Sequence, residues 1–482
     1  MSLDNAVDTT YDDPDGLVDT RRPSQIVKEI KSKSRAPERS SNKQPLLKSE
    51  QSQQTKLLFV NRSYWPDMEA TGQLLSELCE GLAEREDVSV SVLCGQPNFA
   101  AEGAEFKRFG KQIRNGVEIR RTTHTTFDKS SFLGRLVNFL SFCVSAFVSL
   151  LFGPKPDVIV CQTDPPLSPI AACAVAFVRR IKFVCYLQDV YPDIAVECGK
   201  LREGFAIKVF RKFLVWCYCR ADRIVVVSND MRDWLKDHGV DSSKVVVIQN
   251  WVNTNAIYPI KQNNEFRAEH FLDGKFVVMY SGNVGQTQRF KVLLDAAERL
   301  QEDEQVVFMV VGGGVRLDDV KKEVERRGLL NVRFLGYQPK EYLAQSLSAA
   351  DIQVVLLDQK MTRLMMPSKL YSALASGTPV LGIGQVDSHL AEIVTENQCG
   401  WFFAESQVDA IVSRIDAAAA DPDLVIEAGS AARQWAVECS NRTIAINKFA
   451  KMLHLPVGRT TPEVNMDAET HEVVSADRVG VS

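Results

Sequence analysis

The chain lacks the usual signatures of metal and disulfide proteins. Its 11 cysteines contain no C-x-x-C pair, and Cys217 and Cys219 stand too close for an ordinary metal pair. No Asp-x-Asp pair or histidine cluster is placed to hold a metal, so no metal and no cofactor is expected. The odd cysteine count and apolar settings such as Val160-Cys161-Gln162 and Phe183-Val184-Cys185-Tyr186 predict buried thiols in a reducing cytosol. With 57 Lys and Arg against 61 Asp and Glu, a net charge of −4, there is no nucleic-acid footprint. No short internal repeat is visible, and the opening residues carry no signal-peptide pattern. Residues 1–54 turn from acidic to basic and then run through Ser, Gln and Lys, which predicts a disordered tail, as does the composition of 456–482.

What is present is a chain of 482 residues, 45% hydrophobic, long enough for two full domains. Short apolar strands alternate with helices almost throughout. Strands are predicted at Lys56–Asn61, Val88–Cys94, Val117–Arg121, Asp157–Cys161, Lys182–Leu187, Arg223–Val227 and Val245–Ile248, with a helix at Gly72–Arg85. A polar stretch from Asn253 to Asp273 interrupts them. A second series follows at Lys275–Ser281, Val306–Val311, Val332–Leu335, Ile352–Leu356 and Pro379–Leu381. Two such series predict two doubly wound parallel α/β sheets facing across a cleft at the carboxyl ends of their strands. The expected units are 55–255 and 256–440, with a last helix within 441–455 returning to the first.

Two helices of the first unit bear on the membrane. Leu136 to Phe152 carries no charge, yet a strand follows almost at once. A spanning helix needs about 20 apolar residues, so a buried domain helix, an interfacial helix and a span all stay open. In Gly204–Arg220, Lys208, Arg211 and Lys212 share one helical face, while Phe205, Val209, Phe213 and Trp216 lie on another. Such a helix is either a core helix with a solvated face or one that lies on an anionic membrane.

The candidate chemistry centres on Met366-Pro-Ser-Lys-Leu-Tyr-Ser-Ala-Leu-Ala-Ser-Gly-Thr-Pro-Val-Leu381. Pro367 suits a helix's first turn and Gly377 its left-handed C-cap, which would leave the Ser368 and Lys369 amides at a helix N-terminus beside a cation. That combination suits diphosphate, although an ordinary capped helix would read the same. Upstream, Val278-Met279-Tyr280-Ser281-Gly282-Asn283-Val284-Gly285 is a strand entering a glycine-bearing loop, with a helix expected at Gln288–Leu300. Val310-Val311-Gly312-Gly313-Gly314 precedes another helix, Leu317–Arg327.

Together these strings resemble glycosyltransferase family 4 from about Lys56 to Leu453. The 366–381 segment is similar to that family's donor-binding P-S-K-x-x-E-x-x-A-x-G-x-P-V pattern. The loop from Tyr280 resembles the Y-x-G-N-x-G-x-x-Q-G loop of a subgroup that builds bacterial exopolysaccharides and O-antigens, with Arg289 in place of the last glycine. Asn331–Tyr337 resembles the family's n-V-x-f-l-G string. Tyr64-Trp65-Pro66-Asp67-Met68-Glu69-Ala70-Thr71-Gly72 resembles the loop that approaches diphosphate and acceptor, and Gln188-Asp189 stands where many members have His-Asp.

The resemblance implies the GT-B fold and a retaining transfer from a nucleotide-sugar donor to a lipid-linked saccharide in surface polysaccharide assembly. It implies donor contacts at Gly282, Asn283, Gly285, Gln288, Gly312, Gly314, Tyr337, Pro367, Ser368, Lys369 and Ser372. Thr71, Gly72 and Gln188 would face the acceptor and diphosphate. Asp189 would take the acceptor proton or orient the donor sugar, and Lys369 would be the main diphosphate cation, helped by Arg289 or Arg363. The main departure is Ser372, where the pattern has a glutamate for the ribose; that glutamate's partner position is Leu364. Serine cannot grip a diol as a carboxylate does. A sugar-nucleotide epimerase and a catalytically silent sugar-nucleotide-binding protein remain as rivals. The expected location is the cytoplasm, peripheral on the inner face of the membrane.

Overall fold

The computed structural model describes residues 54–67, 69–97, 106–107, 110–127 and 132–455. The two segments expected as disordered tails lie outside these residues, residues 54 and 455 marking the described ends. The first unit runs β1 (Thr55–Val60), α1 (Ala70–Ala83), β2 (Val88–Cys94), β3 (Lys111–Arg114), β4 (Val117–Arg121), α2 (Phe132–Phe152) and β5 (Val158–Gln162). It continues through α3 (Ser168–Arg179), β6 (Lys182–Leu187), α4 (Asp193–Glu197), α5 (Phe205–Arg220), β7 (Arg223–Val226), α6 (Asn229–Asp237) and β8 (Val245–Val247).

The strand order is β3-β4-β2-β1-β5-β6-β7-β8, parallel except for β3. The chain steps outward from β1 through β2 to β4, then crosses back to place β5 on the other side of β1. In an open parallel sheet, such a switch point opens a crevice beyond the strand ends. Strands buried on both faces read as continuous apolar runs, which is why Val158–Cys161 is fully buried.

The second unit opens with α7 (Glu265–Glu269), inside the stretch expected to be a polar linker. Asn264 caps this short helix by accepting from Arg267 N, a local signal that its few apolar residues hide. Then come β9 (Phe276–Ser281), α8 (Lys291–Arg299), β10 (Val306–Val311), α9 (Leu317–Arg327), β11 (Val332–Leu335), α10 (Leu343–Ser348) and β12 (Ile352–Leu356). Next are α11 (Lys369–Ala375), β13 (Val380–Ile383), α12 (His389–Glu396), β14 (Gly400–Phe403), α13 (Val408–Ala420), α14 (Pro422–Cys439) and α15 (Arg442–Met452). The order β11-β10-β9-β12-β13-β14 is wholly parallel, and its switch point falls between β9 and β12.

The two units meet along their strand ends. Asp189 forms an isolated antiparallel bridge with Met365, and Val190 N donates to Leu364 O at 2.8 Å. Asp230 Oδ2 accepts from His389 N at 3.0 Å. Helix α15, capped by Asn441, lies against the first unit, with Phe449 edge-on to Tyr186 at 5.1 Å and Ile446 against Gly81.

Candidate functional site

Two glycine loops form the floor of the second unit's switch point. At Gly312, φ is +136°, and a Cβ there would fall 2.2 Å from Gly282 O. At Gly314, φ is +143°, and a Cβ would fall 2.4 Å from Val284 O. Only glycine lets these backbones touch, so the loops after β9 and β10 stack directly on one another. Val284 N donates to Gly313 O at 2.7 Å and fixes the stack. The Tyr337 ring covers Gly313 from outside, its hydroxyl 3.2 Å from Gly313 O, and is 66% exposed.

Lys369 reaches this surface from α11. Its Nζ lies 3.7 Å from the centroid of the Tyr280 ring and donates to the Tyr280 hydroxyl, which donates in turn to Asn283 O at 2.6 Å. Its nitrogen and Cε would each stand 3.4 Å from a Cβ at Gly282. Burial pushes the Lys369 ammonium down to about 7, and a phenol partner cannot restore it as a carboxylate would. A cation held this way gains most from an arriving anion.

Several expected roles are redistributed. Helix α11 starts at Lys369, so Pro367 is buried ahead of the N-cap Ser368 instead of in the first turn. The opening turn is tight, with Leu370 N and Tyr371 N donating to Pro367 O and Ser368 O at 3.3 Å. The Ser368 and Lys369 amides precede that turn, and the helix is too short to carry much dipole. Helix α8 likewise begins at Lys291, not Gln288. Gln288 instead staples its own loop, accepting from Gly285 N at 2.8 Å and donating to Thr287 at 2.7 Å. Asn283 lies inside the same loop, its side chain against Gly314 and Gly285.

Arg289 and Arg363 are ion-paired away from Lys369. Arg289 Nε pairs with Asp358 at 2.7 Å, and Arg363 crosses to Asp237 of the first unit at 2.7 Å. Each of these cations is paired with a carboxylate. The Ser372 hydroxyl donates to Lys369 O at 3.0 Å within its own helix, and the Leu364 side chain is buried.

The first unit contributes a cavity of about 180 Å³ at its own switch point, lined by Asn61, Arg62, Thr71, Gln162, Gln188 and Asp189 among others. The structure thus brings Thr71, Gln188 and Asp189 together. Gly72 is not among the lining residues. It lets α1 approach the preceding loop, since a Cβ would meet Ser63 Oγ at 2.5 Å. Gln188 Nε2 donates to the Tyr186 hydroxyl at 2.6 Å. Burial, with the negative charge of Asp164 adding, pushes the Asp189 carboxyl up to about 6. Such a group is ionised at neutral pH yet can hold a proton at modest cost.

Sequence reading missed Arg62, Asp164 and Gln162. Arg62 is buried and bridges Asp164 at 3.1 Å and Glu69 at 3.3 Å, closing one wall of the cavity. Among the described residues, Asn61 Oδ1 and both amide atoms of Gln162 are buried without a hydrogen-bond partner. Unmet polar atoms in a cavity wall mark a place for a polar ligand. The available signal was positional: Asn61-Arg62 and Gln162-Thr163-Asp164 are polar residues set directly at the ends of buried strands.

Comparison with known proteins agrees with this geometry. The family described as Glycosyltransferase Family 4 matches residues 71–256, and that described as Glycosyl transferases group 1 matches residues 261–435. The chain is 28% identical over 264 residues to the probable glycosyltransferase WbjE of Pseudomonas aeruginosa, covering 54% of this chain and 66% of that one, just under two thirds of its length. It is 26% identical over 341 residues to the putative colanic acid biosynthesis glycosyl transferase WcaI of Escherichia coli K12, covering 67% of this chain and 81% of that one. Among solved structures, Anabaena HepE in complex with UDP-glucose superposes with a TM-score of 0.61 at 17% identity, over 83% of this chain and 99% of that one. The two family matches follow one another along the two facing units, and the chain belongs to glycosyltransferase family 4, with the GT-B fold.

Proposed function

We propose that the chain moves a sugar, with retention of configuration, from a nucleotide sugar to a lipid-linked saccharide in surface polysaccharide assembly. It would do so as a peripheral protein on the inner face of the cytoplasmic membrane. The observation that carries this reading is Lys369, a half-buried cation with no carboxylate partner among the described residues, aimed at a stacked pair of glycine loops. Backbone amides and one cation at the end of a sheet suit the diphosphate of a nucleotide sugar. HepE is seen with UDP-glucose, and WcaI is named for colanic acid biosynthesis, which supports both the donor class and the process.

In this reading the diphosphate lies on the loops and its charge draws a proton onto Lys369. As the glycosidic bond breaks, negative charge grows on the leaving phosphate, and the amides with Lys369 stabilise it. The acceptor saccharide fills the cavity of the first unit and supplies hydroxyls to Asn61 and Gln162. Asp189 receives the acceptor proton or holds a sugar hydroxyl.

The test is product analysis with the full chain, a panel of nucleotide sugars and lipid-linked saccharide extracts. Release of nucleoside diphosphate with an extended lipid-linked glycan is the expected result. An isomerised sugar nucleotide with no diphosphate released would establish the epimerase. Binding without turnover of any donor would establish a silent binder.

A further inference from the structure

Three neighbouring helices on one face of the first sheet share a property that the transfer reaction does not use. Helices α2, α3 and α5 are the crossovers into β5, β6 and β7, so they lie side by side. Most of their outward residues are apolar. Along α2, Leu140, Val144 and Val148 recur at one turn's spacing and are 45%, 63% and 48% exposed. Phe177 of α3 and Phe213 and Trp216 of α5 are likewise exposed. Only 28% of the apolar stretch of α2 is buried. An apolar surface this continuous marks an interaction site.

The charges on these helices identify the partner. Across α2, α3 and α5 there is no Asp or Glu, whereas Arg135, Arg179, Lys208, Arg211, Lys212 and Arg220 are all present. Arg211 is spent on Asp193 and Glu203. Lys208 and Lys212 are exposed, and the Arg220 guanidinium stacks on Trp216 at 4.1 Å. A second copy of the chain, paired across a two-fold axis, would set these cations against themselves. An anionic bilayer meets both the apolar and the cationic part.

We infer that the α2–α3–α5 face is a docking surface for an anionic lipid membrane, with α2 lying in the plane of the interface. A span is disfavoured by the fold. Helix α2 joins β4 to β5 within one sheet, and Phe142, Cys143, Ala146 and Leu150 bury its inner side. Crossover helices start near the carboxyl ends of the strands they follow, which is the rim that holds Asp189 and its cavity. A docked face therefore brings that rim to the membrane. The use made of it, delivery of a lipid-linked acceptor, rests on the function proposed above; the docking itself does not.

Sedimentation of the full chain with phosphatidylcholine vesicles, with and without phosphatidylglycerol, tests this. Binding should require the anionic lipid. It should fall about tenfold or more in Lys208→Glu/Lys212→Glu, since each cation near such a surface contributes on the order of fivefold. It should also fall in Val144→Ser/Val148→Ser/Phe177→Ser, while the unfolding temperature and donor hydrolysis in solution stay unchanged. Equal binding to both vesicle types, or full binding by both variants, would overturn the inference. So would a dimer in solution that the serine variant converts to monomer. If docking holds but no nucleotide sugar is ever turned over, the function proposed above fails and the docking face stands.

Discussion

The Lys369 ammonium sits 3.7 Å from the centre of the Tyr280 ring and donates to its hydroxyl, so the strand that leads into the glycine loop also holds the cation beneath that loop. The hydroxyl passes the bond on to Asn283 O. Tyr280→Phe keeps the ring and removes both bonds. A neutral hydrogen bond contributes about 1 kcal/mol net, so KM for the donor should rise about fivefold with kcat little changed. Steady-state kinetics at varied donor checks this; an unchanged KM would mean Lys369 is positioned without Tyr280.

The pH dependence follows from two groups moved in opposite directions. Asp189, pushed up to about 6, is ionised only above that pH, so activity should rise through about 6. Lys369, pushed down to about 7, loses its proton above that pH in the free enzyme, so kcat/KM should fall through about 7. The profile of kcat/KM should be a narrow bell, because it reports the free enzyme. Asp189→Asn should remove the acid limb and leave the alkaline one. Measuring kcat/KM for both proteins from acid to alkaline pH decides it.

Gln162 offers a test of the acceptor side. Its amide is buried on the cavity wall with no partner among the described residues. Gln162→Leu removes groups whose burial costs free energy, so the fold should be as stable or more so. The acceptor would lose its hydrogen bonds, and KM for acceptor should rise roughly tenfold while donor KM stays put. A thermal melt with two-substrate kinetics separates these effects.

Ser372 should matter little to donor binding. Its hydroxyl is engaged with Lys369 O in its own helix, and it cannot hold a ribose diol as a carboxylate would. Ser372→Ala should weaken donor binding by about 1 kcal/mol or less. A larger loss than that caused by Lys369→Ala would make Ser372 the ribose ligand.

Much of the fold was legible in the sequence because parallel strands buried on both faces leave plain apolar runs. Val88–Cys94, Val117–Arg121, Lys182–Leu187, Val306–Val311, Val332–Leu335 and Ile352–Leu356 stand where their patterns predict. The misses are at edges. Lys111–Arg114 alternates exposed and half-buried residues and shows no apolar run, although Asn115-Gly116 behind it, both at positive φ, is a hairpin turn signal. Gly400–Phe403 is a four-residue edge strand whose residues are all half-buried. In the site, Lys369 and the glycine loops were visible because each carries a local pattern. Arg62 and Asp164 were not, because the pair is 102 residues apart and only the sheet's switch point joins them. The ion pairs of Arg289 and Arg363 are hidden in the sequence for the same reason, since their carboxylates come from distant parts of the chain.

The central claim is that Lys369 holds the diphosphate of a nucleotide sugar on the glycine loops. Calorimetric titration of the full chain and its Lys369→Ala variant with a panel of nucleotide sugars tests it most directly. The account predicts that at least one sugar nucleotide binds, with proton uptake above pH 7, and that Lys369→Ala weakens it by about 1.5–3 kcal/mol, the range for a charge-assisted contact. Equal affinity in the two proteins, with no proton uptake, would contradict it.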